Sequence, residues 1–144
     1  MAGGKGNTNS ANLLKLIFQA VAIANIADNA ASSPLTNLFV SLHTASPGSG
    51  GSQTTNEAAY TSYARVSVAR TSGGWSISGQ TISPVSTIVF PAATGGSETE
   101  THMGIGTAST GAGILLYWGP ITPNLAVSNG VTPELTTATT ITEA

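Results

Sequence analysis

The chain has 144 residues, a formal net charge of −2 and no cysteine. Charged residues make up 7% of the sequence, against roughly 25% in a typical soluble domain, while apolar residues make up 40%. The absence of cysteine excludes a disulfide scaffold and a thiolate metal site. Low charge with many branched apolar residues excludes intrinsic disorder over most of the length, so we expect one folded domain with a real core.

A polar but lightly charged surface is the second feature of the composition. Net charge keeps proteins apart in solution, so such a surface is poorly protected against self-association. We interpret the chain as a subunit of an assembly, with a lightly charged monomer as the alternative. Lys and Arg together number four, which predicts no nucleic-acid partner. The N-terminus lacks a signal-peptide pattern, so we expect synthesis in the cytoplasm without export.

The N-terminal part of the chain predicts a flexible arm followed by one helix. Residues 1–10 are rich in Gly and Asn, and we expect them to be flexible. Ser10 can cap a helix over residues 11–29, and Pro34 cannot continue it. Because this helix is apolar around most of its circumference, it must be covered on several sides. It either lies across a sheet of its own domain or also packs on a neighbouring subunit. The run carries Lys15 and is too short for a membrane span, so we expect no membrane partner.

Strand periodicity dominates the rest of the chain. Within the block 63–91, apolar residues recur at every second position and Gly-containing breaks separate the runs, which predicts a meander of short antiparallel strands. Further strands are predicted over residues 38–44, 97–106, 114–121, 125–128, 131–135 and 139–142. The strongly apolar strand 114–121 is expected to be covered on both faces. Residues 11–144 are therefore predicted to form a single mainly β domain, an antiparallel β-sandwich of jelly-roll type with one N-terminal helix.

Several ionisable side chains are candidates for chemistry. Glu98 and Glu100 lie two residues apart on one strand face and are expected to form a solvated surface rather than the opposed carboxylates of a glycosidase. His43 and His102 could join these glutamates around a metal, but the sequence lacks a paired histidine spacing. A Ser-His-acid triad stays open on composition, although no Gly-x-Ser-x-Gly elbow is present. We predict no catalytic residue, no metal and no cofactor.

Arginines and tryptophans are the candidates for contacts with partners. Trp75 and Trp118 are expected in the core or at a subunit interface, with an exposed platform for a sugar ring as the alternative. Arg65 and Arg70 are placed on opposite faces of one strand, with Arg70 pairing to Glu57 or to a partner's carboxylate. The predicted partner interface consists of Leu13, Leu16, Ile17, Phe18, Val21, Arg65, Arg70, Trp75 and Trp118.

A series of segments in fixed order carries a family resemblance. They are residues 38–48, 53–57, 60–66, 74–75, 90–96, 102–106 and 130–133, beginning with Leu-Phe-Val-Ser-Leu-His-Thr-Ala-Ser-Pro-Gly and ending with Gly-Val-Thr-Pro. Together they resemble a group of small virion structural proteins of tailed bacteriophages, often labelled tail-fibre-like. The resemblance extends over nearly the whole chain after residue 35 and implies no catalytic residues.

The resemblance implies a non-enzymatic structural protein of the virion. Our first prediction is a capsid decoration or cement protein that stabilises the lattice of the major capsid protein. Its expected partners are the major capsid protein and further copies of itself, as a dimer or trimer, joined by surfaces of the size of specific interfaces and reinforced by symmetry. The alternative is a tail or tail-fibre component that binds a host surface glycan.

Overall fold

The computed structural model describes residues 7–23 and 35–143, and within them the fold is mainly β with one helix. The helix is α1 (Asn7–Gln19). The strands are β1 (Asn37–His43), β2 (Val66–Ala69), β3 (Trp75–Ser78), β4 (Thr81–Pro84), β5 (Ile88–Val89), β6 (Ser97–Gly106), β7 (Leu115–Ser128), β8 (Glu134–Leu135) and β9 (Ile141–Thr142).

The strands form three antiparallel sheets. Their orders are β2-β1-β6-β7, β3-β4-β9 and β5-β8. Buried apolar residues from all three sheets and from the helix join in one hydrophobic core. The prediction of a mainly β fold with antiparallel sheets and an N-terminal helix is confirmed, whereas the jelly-roll arrangement stays a prediction.

The four-stranded sheet contains the longest strands. Its strand β6 spans residues 97–106, as the alternating pattern predicted. The strand is paired on both sides, with β1 and with β7, and this pairing keeps it extended over its length. The two strands predicted over 114–121 and 125–128 are one continuous strand, β7. Residues 121–124 of β7 lie between the two stretches that pair with β6, opposite a register shift. The expectation that 114–121 is covered on both faces was wrong, because one face of this part of β7 is open to solvent: Trp118 is 40% exposed, and Pro120 is exposed as well.

The meander predicted over residues 63–91 is confirmed for the β3–β4 hairpin but not for β2. β3 and β4 form a hairpin in which Trp75 lies opposite Pro84, joined by the Gly79-Gln80 turn. β2, however, pairs with β1 in the other sheet. The chain changes sheets at a tight turn, where a Cβ on Gly74 would lie 2.2 Å from the carbonyl oxygen of Ala69. Glycine is therefore required where the chain leaves β2 for β3.

The helix has different bounds from those predicted. It begins at Asn7 and ends at Gln19, so Ser10 is a buried helical residue and not the cap. Ala20 has a φ of 55°, the left-handed conformation with which helices commonly end, and the amide of Val21 donates to the carbonyl of Lys15. The apolar pattern continues beyond this point, but the left-handed residue stops the helix. Residues 24–29 of the predicted helix and residues 30–34, which were expected to follow its end, lie outside the described residues. Residues 1–6 of the predicted arm lie outside them as well.

The helix packs on its own chain. Leu14 and Phe18 are fully buried, and the Phe18 ring lies 4.9 Å from that of Trp75 and 5.5 Å from that of Tyr117. The amide of the Gln19 side chain donates to the carbonyl of Trp75 at 3.1 Å. Of the two alternatives, the helix therefore lies across its own domain, and packing on a neighbouring subunit stays a prediction.

Arg70 ties the C-terminal end of the helix to the strand β2. Its guanidinium donates to the carbonyls of Ile17 at 2.7 Å, Leu16 at 2.8 Å and Leu35 at 2.5 Å. A cation at a helix C-terminus satisfies carbonyls that have no partner inside the helix and interacts favourably with the helix dipole. The expected pairing of Arg70 with Glu57 was wrong, because both carboxylate oxygens of Glu57 bind Arg65 instead.

We predict that Arg70→Gln lowers the free energy of unfolding by about 2 kcal/mol, because charged hydrogen bonds to the helix end are lost. Urea denaturation followed by circular dichroism measures the change. Lys15→Gln is the matched control, since Lys15 is an exposed cation on the same helix and its substitution should cost less than about 0.5 kcal/mol. Equal losses in both variants would contradict the role given to Arg70.

Candidate functional site

The face of the four-stranded sheet that points away from the core holds both histidines. His43 on β1 lies opposite His102 on β6, and Ser41 lies opposite Gly104. Ser41 and His43 are fully buried although they are polar. Among the described residues, no group of three or more His, Cys, Asp or Glu side chains is arranged to hold a metal ion.

His43 and Ser41 form a hydrogen-bonded pair. His43 Nδ1 lies 2.8 Å from the Thr55 carbonyl and Nε2 lies 2.9 Å from Ser41 Oγ. Because a carbonyl only accepts, Nδ1 carries the proton and Nε2 accepts from the Ser41 hydroxyl. Burial lowers the pKa of His43, which favours the neutral ring. A nucleophile and its base are spaced in this way, but both side chains are fully buried. The bond from His43 to the Thr55 carbonyl fixes the 44–56 loop on the sheet.

Glycines on β6 make room for these buried polar groups. A Cβ on Gly104 would lie 2.7 Å from His43 Nε2 and 2.8 Å from Ser41 Oγ. A Cβ on Gly106 would lie 2.1 Å from the side chain of Gln53, whose Oε1 accepts the Ala108 amide at 2.9 Å. The Gly-x-Gly motif of this strand is therefore a packing feature. Gln53 was missed by sequence reasoning, since its burial depends on two loops distant in sequence.

Arg65 connects the loop after β1 to the loop between β6 and β7. Its guanidinium binds Glu57 through two bonds, at 2.6 and 2.8 Å, and donates to the carbonyls of Ala108 and Gly111 at 2.8 and 2.7 Å. The Tyr63 hydroxyl donates to the same carboxylate at 3.0 Å. With its side chain 2% exposed, Arg65 stabilises the protomer and has little surface to offer a partner.

The two glutamates of β6 occupy different environments. Glu98 Oε1 accepts the backbone amides of Ala59 and Tyr60, each at 2.8 Å. Glu100 is fully buried, and neither of its carboxyl oxygens has a hydrogen-bond partner in the described part of the chain. Burial, with the nearby Glu98 carboxylate, raises the pKa of Glu100 to about 8. The expectation of a solvated pair was wrong for Glu100, because the strand carries it into the interior.

The predicted interface residues divide into two groups. Phe18 and Trp75 are buried in the core of the chain itself, and Arg65 and Arg70 bind groups of the chain itself; a partner contact at these four stays a prediction. The remaining residues keep some accessible surface; they are the half-buried Leu13, Leu16 and Ile17 and the exposed Val21 and Trp118. A partner interface at these residues stays a prediction.

The largest exposed apolar side chains of the four-stranded sheet lie at the start of β7. Ile114, just before the strand, is 65% exposed and Trp118 is 40% exposed; with the exposed Pro120 they form what we call the β7 patch. The Trp118 ring lies 6.2 Å from that of His102, which is hydrogen-bonded to Thr101 at 2.8 Å. Ile114 was missed because an unbroken apolar run gives no sign of which side chains face solvent.

The described helix is neither long nor apolar enough to cross a bilayer.

We predict that the stability of the protein falls with pH because of Glu100. A carboxyl whose pKa is raised from 4.5 to about 8 on folding contributes stability that is fully present below the unfolded-state pKa. That contribution is lost as the pH rises through the folded-state pKa. Relative to Glu100→Gln, wild type should lose up to about 1.4 kcal/mol per pH unit between about pH 5 and pH 8.

Chemical denaturation at several pH values measures this difference. Burial lowers the pKa of His43, so the contribution of His43 to stability rises with pH. This contribution cancels in the comparison because both proteins contain His43. Thr99→Val, a change at an exposed neighbour on β6 that titrates nothing, is the control and should follow wild type. Parallel pH profiles for wild type and Glu100→Gln would show that Glu100 ionises as readily folded as unfolded.

The chain matches a known protein family over nearly its whole length. No curated protein matches it. The family described as "Podophage GP4 fiber I protein gp80" matches residues 6–142, a range that includes the helix, every strand named above and all the segments that carried the resemblance. The chain therefore belongs to the podophage GP4 fiber I protein gp80 family, and it is a small structural protein of a tailed-phage virion.

Proposed function

We propose that this chain is a subunit of a virion fibre of a tailed phage and that it acts without catalysis, through contacts between protein surfaces. The observation that carries the proposal is the family match over residues 6–142, whose description names a fibre. This description supports the tail-fibre alternative better than our first prediction, a decoration protein on the lattice of the major capsid protein. Decoration remains the second candidate, because it uses the same surface chemistry.

The placement of the charges supports a role in assembly. Arg65 is paired with Glu57, Arg70 binds carbonyls, and Glu98 binds backbone amides. In the part of the chain that the structure describes, the charged residues that remain exposed are Lys15 and Glu134. A surface left with so few charges opposes association only weakly.

The β7 patch is the surface that we propose for contact with a second copy of the chain. Exposed tryptophan is enriched among the residues that contribute most to binding between proteins, and Trp118 lies on an edge strand of the sheet. An edge strand has unpaired backbone groups that can pair with another strand. A homodimer or homotrimer joined at this patch is part of the proposal.

Labelling of purified particles with antibody to this chain, viewed by electron microscopy, tests the fibre assignment. We expect label on fibres. Label spread over the capsid lattice would support the decoration alternative instead, and particles without label would contradict both.

The same particles test the β7 patch. We expect Ile114→Ser with Trp118→Ser to lower incorporation at least tenfold, the effect of losing about 1.4 kcal/mol of binding. Val85→Ser is the matched control, because Val85 is 46% exposed but lies outside the patch. Normal incorporation of the double variant, with its fold verified by circular dichroism, would exclude the patch as the contact.

A further inference from the structure

A groove lies between β7 and the chain from β8 to β9. It has a volume of about 440 Å³, within the range of about 300–1,000 Å³ in which proteins bind small molecules. One wall includes Ile121 and Thr122, from the part of β7 that does not pair with β6. The other includes Glu134, Leu135 and Thr140. The groove is separate from the buried Ser41–His43 pair, and Trp118 does not line it.

The lining combines an apolar floor with a rim of hydroxyl groups. Ile121 and Leu135 are 8% and 4% exposed, so they form the floor, whereas Thr122, Glu134 and Thr140 are exposed. The side chains of these three rim residues make no hydrogen bond to any described part of the chain. They are therefore available to a ligand as two hydroxyls, which donate and accept, and one carboxylate, which accepts.

We propose that this groove binds a neutral saccharide. A sugar ring presents C–H groups on its faces and hydroxyls at its edge, which match the apolar floor and the hydroxyl rim. Among the described residues, the lining contains no Lys or Arg, so an acidic sugar, a sulfate or a phosphate would meet the Glu134 carboxylate without a compensating cation. The inference rests on the proposed function to the extent that a fibre reaches sugars of a cell surface.

Glu134 fixes the orientation of the ligand in this proposal. A hydrogen bond from a sugar hydroxyl to a carboxylate is stronger than one between neutral groups, so Glu134 contributes more than either threonine. Thr140 and Thr122 receive the remaining hydroxyls. The sugar hydroxyls that find no partner in the groove stay in water, because the rim is exposed.

Saturation-transfer NMR with the purified full chain tests the groove. The probes are glucose, galactose, mannose, rhamnose and N-acetylglucosamine at millimolar concentration, with glucuronic acid and N-acetylneuraminic acid as acidic comparators. We expect at least one neutral sugar to bind and the acidic sugars to bind more weakly. Glu134→Gln should weaken binding about tenfold and Thr140→Val about threefold.

Two control variants should bind as wild type does. Thr87→Val removes an exposed hydroxyl outside the groove, and Trp118→Ala removes the exposed aromatic ring of the β7 patch. The proposal is overturned if no neutral sugar binds, if both groove variants bind as wild type does, or if Trp118→Ala alone abolishes binding. Fibre location without sugar binding would overturn the groove alone, whereas sugar binding by a chain found on the capsid lattice would overturn the fibre assignment alone.

Discussion

The pairing of β6 on both of its edges is the constraint on which the rest of the structure depends. On one side it places Gly104 against Ser41, which gives the buried Ser41–His43 pair its space. On the other it holds β7, which carries the β7 patch and one wall of the groove. Near its start, Glu98 fixes the segment around Tyr60. A single strand thus positions the loops, the exposed apolar surface and the groove.

Most of the few charged side chains in the described part of the chain bind groups of the same protomer. Arg65 and Arg70 hold loops and a helix end together inside one protomer, Glu98 holds a backbone turn, and Glu100 lies in the interior. Hydrogen bonds to ionised groups contribute about twice as much as neutral ones. The charges of Arg65, Arg70 and Glu98 therefore stabilise the protomer, and the outside of the described chain consists mostly of Ser, Thr and scattered apolar residues, with Lys15 and Glu134 as exposed charges. For a structural protein of a virion, that surface favours contacts between copies.

Local patterns in the sequence were sufficient to predict most of the strands, but not which segments and side chains contact each other in the fold. Strand β6 and the hairpin of β3 and β4 follow from alternation and from glycine at the turns, which are properties of neighbouring residues. The end of the helix did not follow, because Ala20 takes a left-handed conformation that usually signals itself through glycine. The burial of Glu100 and the pairing of Arg65 with Glu57 depend on segments that meet only after folding. The groove was missed for the same reason, since its walls come from strands of different sheets.

We propose that the chain associates through an uncharged surface because its charges are used inside the protomer. Sedimentation velocity of the purified chain at increasing NaCl concentration measures this directly. Contacts between exposed charges weaken as salt screens them, whereas burial of apolar surface does not. We predict an oligomer whose mass is the same at about 0.05 M and about 1 M NaCl. A monomer at every concentration, or an oligomer that dissociates as the salt rises, would contradict the account.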